Sequence, residues 1–178
     1  MDYQSIIDKY YPCDNQLKNI LMEHSRHVAD KALSIVDKHP ELGADRAFVE
    51  EAAMLHDIGI LRCDADGICC FGTEPYIKHG IIGAQMMRDE GYEKHARVCE
   101  RHTGAGITLH QIEERHLPLP HQNFLPETIE EKIVCYADKF FSKTKLDKEK
   151  SLESAIRSIS RFGEDGVERF LKWTEIFE

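Results

Sequence analysis

No stretch of the chain approaches the roughly 20 consecutive apolar residues that a membrane-spanning helix needs. The opening residues, MDYQSIIDKYYPCDNQ, lack a basic region followed by an apolar run. These absences set the expectation of a cytoplasmic protein with no membrane partner. Basic charge is also short: 23 Lys and Arg face 32 Asp and Glu, a formal charge of −9. Binding a long phosphate backbone would release few counterions and meet general repulsion. A nucleic-acid polymer is therefore excluded as an expected partner, whereas a small anion at a local positive centre is not. Six cysteines occur without CxxC spacing, so free thiols are expected, the cluster Cys63, Cys69 and Cys70 included.

Period-two alternation bounded by hairpin turns is missing, as are internal repeats and low-complexity tracts. Helical periodicity recurs almost everywhere, so the expected class is all-α. At 178 residues, 42% apolar and 31% charged, one domain with a sizeable core is expected. A long helix is predicted from Asn15 to His39, where Pro40 disfavours its continuation. A second begins near the N-cap Asp45 and runs into LHDIG, with Gly59 as its terminator. Residues 60–75 read as a loop positioned for substrate contacts. Further helices are expected over Tyr76–Glu90 and Tyr92–His102, then an irregular HLPLPHQNFLP. Thr128 and Glu131 have capping-box spacing before another helix, and two short helices, about 147–161 and 164–177, close the chain.

Histidine is plentiful, with ten residues, and the stretch EAAMLHDIGIL sets His56 beside Asp57 at the end of an apolar helix face. Burying either group alone costs on the order of several kcal/mol, so a compensating partner is required. On a wheel of about 100° per residue, His24 flanks the stripe of Leu17, Leu21, Val28, Ala32 and Ile35, and His27 lies about 120° from its centre, nearer solvent. Val134 and Phe141 put Asp138 at the edge of another apolar face. Each residue alone has a plainer reading, as a core-edge histidine bonded to a carbonyl or an aspartate capping a helix. Together, His24, His56, Asp57 and Asp138 lean inward from separate elements, and mixed imidazole and carboxylate donors suit Fe, Mn, Zn or Ni.

The order H…HD…D, with HSRHVA supplying the first histidine and LHDIG the pair, resembles the HD-domain superfamily of metal-dependent phosphohydrolases over residues 20–145. KHGIIGAQMM and CERHTGAGIT look like the extra histidine segments of its two-metal branch. With LPETIEEKIVCYADK, ERHTGAGIT is most similar to a group of small single-domain members of unassigned substrate. The resemblance implies a helical bundle over 1–178, its core at 20–145 and added helices at 147–177. It also implies one or two divalent transition metals (Fe, Mn, Ni, Co or Zn). His24, His56, Asp57 and Asp138 would hold one ion, and Asp57 would bridge to a second held by His79 and His102. Asp57 would act catalytically by holding a metal-activated water in line. The cyclic-dinucleotide branch reads HDIGK, followed later by HH and a Gly-Tyr-Pro signature. This chain has Ile60, a lone His102 and GAGIT instead, which leaves Arg62 or Lys139 to bind the substrate phosphate. The implied activity is hydrolysis of a small phosphoester, with a nucleotide as the expected chemical class; a non-catalytic metal- and nucleotide-binding module and a dinucleoside polyphosphate hydrolase are the alternatives.

Overall fold

Short-range capping chemistry accounts for where most helices begin, and the computed structural model describes residues 1–178. Helix α1 (Tyr3–Tyr10) starts at Asp2, whose carboxylate accepts from the Ser5 N–H. Sequence reading leaves this helix out, because eight residues are too few to hold a helix in water without packing. Ile6, Ile7 and Tyr11 supply that packing. The Tyr11 hydroxyl donates to the Ile58 carbonyl at 2.8 Å and accepts from Leu61 N–H at 3.2 Å, which ties α1 to the turn that follows the His56–Asp57 pair.

Helix α2 (Gln16–Lys38) and helix α3 (Arg46–Leu55) start at the predicted caps Asn15 and Asp45. Helix α3 ends at Leu55, and a tight 3-10 segment, Ile58–Arg62, continues the chain. Gly59 is thus not the terminator. A Cβ there would lie 2.2 Å from the His79 carbonyl oxygen and 2.4 Å from Gly83 N. Glycine is required because helix α4 (His79–Asp89) packs its backbone directly on this turn. Gly80 does the same on the next helix, α5 (Glu93–Arg101), where a Cβ would stand 2.6 Å from the Cys99 carbonyl.

The expected loop at 60–75 is partly ordered. Strands β1 (Cys63–Ala65), β2 (Cys70–Phe71) and β3 (Glu74–Pro75) form a sheet of order β2-β1-β3, antiparallel on one side and parallel on the other. Two- and three-residue strands carry no readable alternation. Helix α6 (Leu109–Glu114), also missed, has a complete Thr108/Gln111 capping box. Helix α7 (Ile129–Asp138) has the predicted Thr128/Glu131 box. Helix α8 (Leu152–Ile159) is shorter than the expected 147–161, and helix α9 (Glu164–Phe177) matches its prediction.

The fold is all-α apart from that small sheet. Its main core is a cluster of 37 buried residues drawn from α1 to α5, α7 to α9 and the segments between them, and a smaller cluster of Ile107, Ile112, Leu119 and Phe124 lies around α6. Tyr136 of α7 stacks on Phe170 with ring centroids 4.7 Å apart and meets Phe177 edge-on at 5.3 Å. The C-terminal helix thereby seals the back of α7. No helix is long and apolar enough to cross a membrane. All six cysteines are free thiols.

Replacing Gly59 with alanine forces backbone movement between the turn and α4, an overpacking cost of about 1–3 kcal/mol. Gly67→Ala, where a Cβ meets nothing within 4 Å, is the control. Urea denaturation should show a lowered midpoint for G59A and little change for G67A.

Candidate metal centre

Six of the predicted residues converge on one place, four of them from helix ends. His24 lies within α2, His56 and Asp57 follow α3, His79 opens α4, His102 caps the end of α5, and Asp138 is the last residue of α7. All six are buried, with Asp57 and His56 fully so. His24, His56, Asp57 and Asp138 form one group and Asp57, His79 and His102 another, the donor atoms of each within 4.8 Å of one another.

Helix ends free the backbone carbonyls that set the imidazole tautomers. His56 Nδ1 lies 2.6 Å from the Ala53 oxygen, His79 Nδ1 2.7 Å from that of Tyr76, and His102 Nδ1 2.7 Å from that of Cys99. A carbonyl can only accept, so each Nδ1 carries the proton and donates it. When such a ring is neutral its Nε2 lone pair faces the centre. Burial lowers His56, but the Asp57 and Asp138 carboxylates outweigh it and raise this ring to about 9, so a cation at the centre would replace its Nε2 proton. The same second-sphere bond orients metal-bound histidines in general.

Those lone pairs face acceptors. His79 Nε2 and His102 Nε2 stand 2.9 Å apart, and each is 3.4 Å from Asp57 Oδ1. Burial holds His79 down at about 3, with His102 reinforcing the shift, and burial also lowers His102. Neither ring takes up a proton to relieve the contact. Three electron-rich atoms thus meet with nothing positive between them. Asp57 Oδ2 faces the other way, 3.1 Å from His24 Nε2 and 3.0 Å from His56 Nε2. Asp138 Oδ1 lies 3.0 Å from His24 Nε2 and 3.5 Å from His56 Nε2. Neither Asp57 oxygen nor His56 Nε2 makes a well-formed hydrogen bond. Burial would raise the Asp57 carboxyl, but His56 and Lys143 outweigh it and hold the group ionised. These donors fit a divalent cation in chemical type and in their lack of other partners, so the cluster can hold one.

A cavity of about 180 Å³ opens over the cluster, bordered by Tyr76, His79, His102, Asp138, Lys139 and Lys143 among others. Lys139 borders it, with Nζ 2.5 Å from Asp138 Oδ2 and donating to the His102 carbonyl at 2.9 Å. Arg62 does not reach it. The chain enters β1 after Arg62, and its side chain is exposed and not part of the cavity border. Sequence reasoning missed Lys143, whose Nζ stands 2.5 Å from Asp57 Oδ2. Burial lowers its pKa, but Asp57, Tyr76 and Asp138 more than reverse this and raise it, so the ammonium persists. It also missed Tyr76, stacked on His79 with centroids 4.6 Å apart. Their only signal is adjacency: Lys143 lies five residues after Asp138 and Tyr76 three before His79. His27, expected nearer solvent, is half-buried against Phe141. His95 bonds Glu51 away from the centre, and His110, His116 and His121 are exposed.

The HD domain family model matches residues 21–142. A tRNA (cytidine(56)-2'-O)-methyltransferase of Thermoplasma volcanium is 35% identical over 96% of the chain and 45% of the relative. An uncharacterized protein of Methanocaldococcus jannaschii is 38% identical over 72% of the chain and 73% of the relative. The methyltransferase of the same name from Picrophilus torridus is 34% identical over 78% of the chain and 39% of the relative. The chain thus spans less than half the length of the two methyltransferases. Among solved structures, the HD domain of the L. monocytogenes phosphodiesterase PgpH aligns with 96% of this chain and 85% of its own, with a TM-score of 0.55 at 17% identity. That likeness shows the fold.

A divalent ion at a hundred times its Kd stabilises the folded state by about 2.7 kcal/mol, a rise in Tm of about 5–10 °C for a domain of this size. Differential scanning fluorimetry with Mn, Co, Ni or Zn should show that rise, reversed by EDTA, and Asp57→Asn should abolish it.

Proposed function

This chain belongs to the HD domain family, and from that premise we propose that it is a metal-dependent phosphohydrolase acting on a small phosphoester, a nucleotide or a related phosphate. The observation that carries this reading is Asp57. One of its oxygens faces His24 and His56 and the other faces His79 and His102, beside a cavity bordered by His79, His102 and Asp138 and by the ammonium groups of Lys139, Lys143 and Lys150. In this reading His24, His56, Asp57 and Asp138 hold one ion, and Asp57, His79 and His102 a second.

Bound there, a divalent pair supplies Lewis acidity toward a phosphoryl oxygen and toward water. The residues do the rest. The carbonyls of Ala53, Tyr76 and Cys99 keep three imidazoles in one tautomer, so their Nε2 atoms need no reorganisation to act as donors. Lys143 and Lys139 place positive charge at the cavity wall, where it offsets the charge that builds on phosphate oxygens during displacement. Ile60, which stands where one HD branch has lysine, is fully buried in the core. Its missing charge is met by Lys143.

The methyltransferase relatives favour a second reading, in which the domain serves an RNA substrate. The acidic chain, at −9, argues against an extended polynucleotide at this site. Turnover should be assayed with metal-analysed protein against nucleotides, generic phosphoesters and tRNA, with Fe, Mn, Co, Ni and Zn. Hydrolysis of a small phosphoester with at least one metal is expected, with a loss of at least 100-fold in Asp57→Asn. Folded, fully metallated protein that turns over no small phosphoester would sink the proposal.

Elemental analysis tests the ligand sets. Two equivalents of metal are expected in the wild type, one in His102→Ala, and none in a variant combining His56→Ala with Asp57→Ala. Equal metal content in the wild type and His102→Ala would remove the second site.

A further inference from the structure

Beside the metal cavity lies a second hollow of about 640 Å³, and it is lined only by polar and charged side chains. Five of them are cations: Lys145, Lys148, Lys150, Arg157 and Arg161, against a single carboxylate, Glu149. In a chain of net charge −9 that concentration runs against the mean. Glu149 is committed elsewhere, 3.0 Å from Lys31. None of the five cations has a carboxylate within 4.0 Å, although Arg26, Arg46, Arg88, Arg97 and Arg101 are all paired. Four of the five are exposed and Lys150 is half-buried; like charges gathered on one surface repel, and an anionic ligand would relieve that cost.

Two further features point the same way. Lys150 and Ser158 line both hollows, so the trough is continuous with the mouth of the metal cavity. Burial pushes Lys150 down, opposed by Asp138 and reinforced by the cations Lys139, Lys143 and Arg161. The start of α8, with Ser151 and Ser154 in the wall, adds the positive end of a helix. Every lining residue except Ser142 lies beyond residues 21–142, the part matched by the family model.

We infer that this trough is a second anion subsite, and that the substrate of the metal centre is a compact molecule with several phosphates. One phosphoester would sit over Asp57 and the remaining phosphates among Lys145, Lys148, Arg157 and Arg161. No aromatic or apolar side chain lines the trough, so it recognises phosphates and offers no platform for stacking a base. Its volume is that of a small-molecule site. The acidic remainder of the chain would repel a polyanion extending past it.

The inference rests on the phosphohydrolase reading but has its own test, equilibrium binding by calorimetry with metal retention checked after each titration. Inorganic tripolyphosphate should bind metal-loaded protein at least 10-fold tighter than orthophosphate, with the advantage falling as salt rises. In the double variant Lys148→Ala, Arg157→Ala, with Tm and metal content unchanged, the advantage should drop to about twofold or less. If the preference holds and the variant loses it while no phosphoester is hydrolysed, the subsite stands and the hydrolase reading fails. Equal affinity for the two anions, or a preference untouched by the variant, overturns the subsite even in an active enzyme. A single-stranded oligonucleotide that binds tighter than tripolyphosphate and loses that affinity in the variant overturns it in favour of a polymer.

Discussion

The centre of this protein depends on the electrostatics of one buried carboxylate. Asp57 is fully enclosed, and its two oxygens point at two pairs of imidazoles. Three of those rings spend their N–H on backbone carbonyls and so bring lone pairs to the same place. Protein groups alone relieve only half of the problem. Lys143 supplies a positive charge on the Oδ2 side, and the Oδ1 side has none. A fold that concentrates electron pairs in this way pays a cost in stability unless a cation joins it, and the same concentration suits it to hold one.

The surrounding structure can be understood as what it takes to bring six donors from five helices and one turn to one point. Four arrive at helix ends, where the chain leaves the regular hydrogen-bond ladder and carbonyls become available to orient imidazoles. Glycines at 59 and 80 let α4 approach the turn and α5 at backbone contact, which sets His79 opposite His102. The Tyr136, Phe170 and Phe177 cluster holds α7, and with it Asp138, from behind.

Much of this is legible along the chain. Asn15, Asp45 and Thr128 mark helix starts because a cap acts on N–H groups two or three residues away. His24, His56 and Asp138 stand out because helical periodicity turns spacing into facing. His79 and His102 enter through the resemblance, since one histidine at a helix end has no periodic signature. Arg62 shows the limit of proximity in sequence: five residues from Asp57, it is turned outward by the 3-10 segment and β1.

The sequence by itself determined the helical class, most helix starts and the residues able to act as metal donors, since these rest on interactions spanning at most a few positions. Only the tertiary structure decided that Asp57 lies between two imidazole pairs, that Lys143 and not Arg62 lies at the cavity beside them, and that five unpaired cations gather next to that cavity. Those relations depend on where residues 139–161 run after α7 ends. That path is set by long-range contacts, among them the hydrogen bond from Arg115 to the Arg161 carbonyl and the seat of Lys143 on Asp57, which no local pattern encodes.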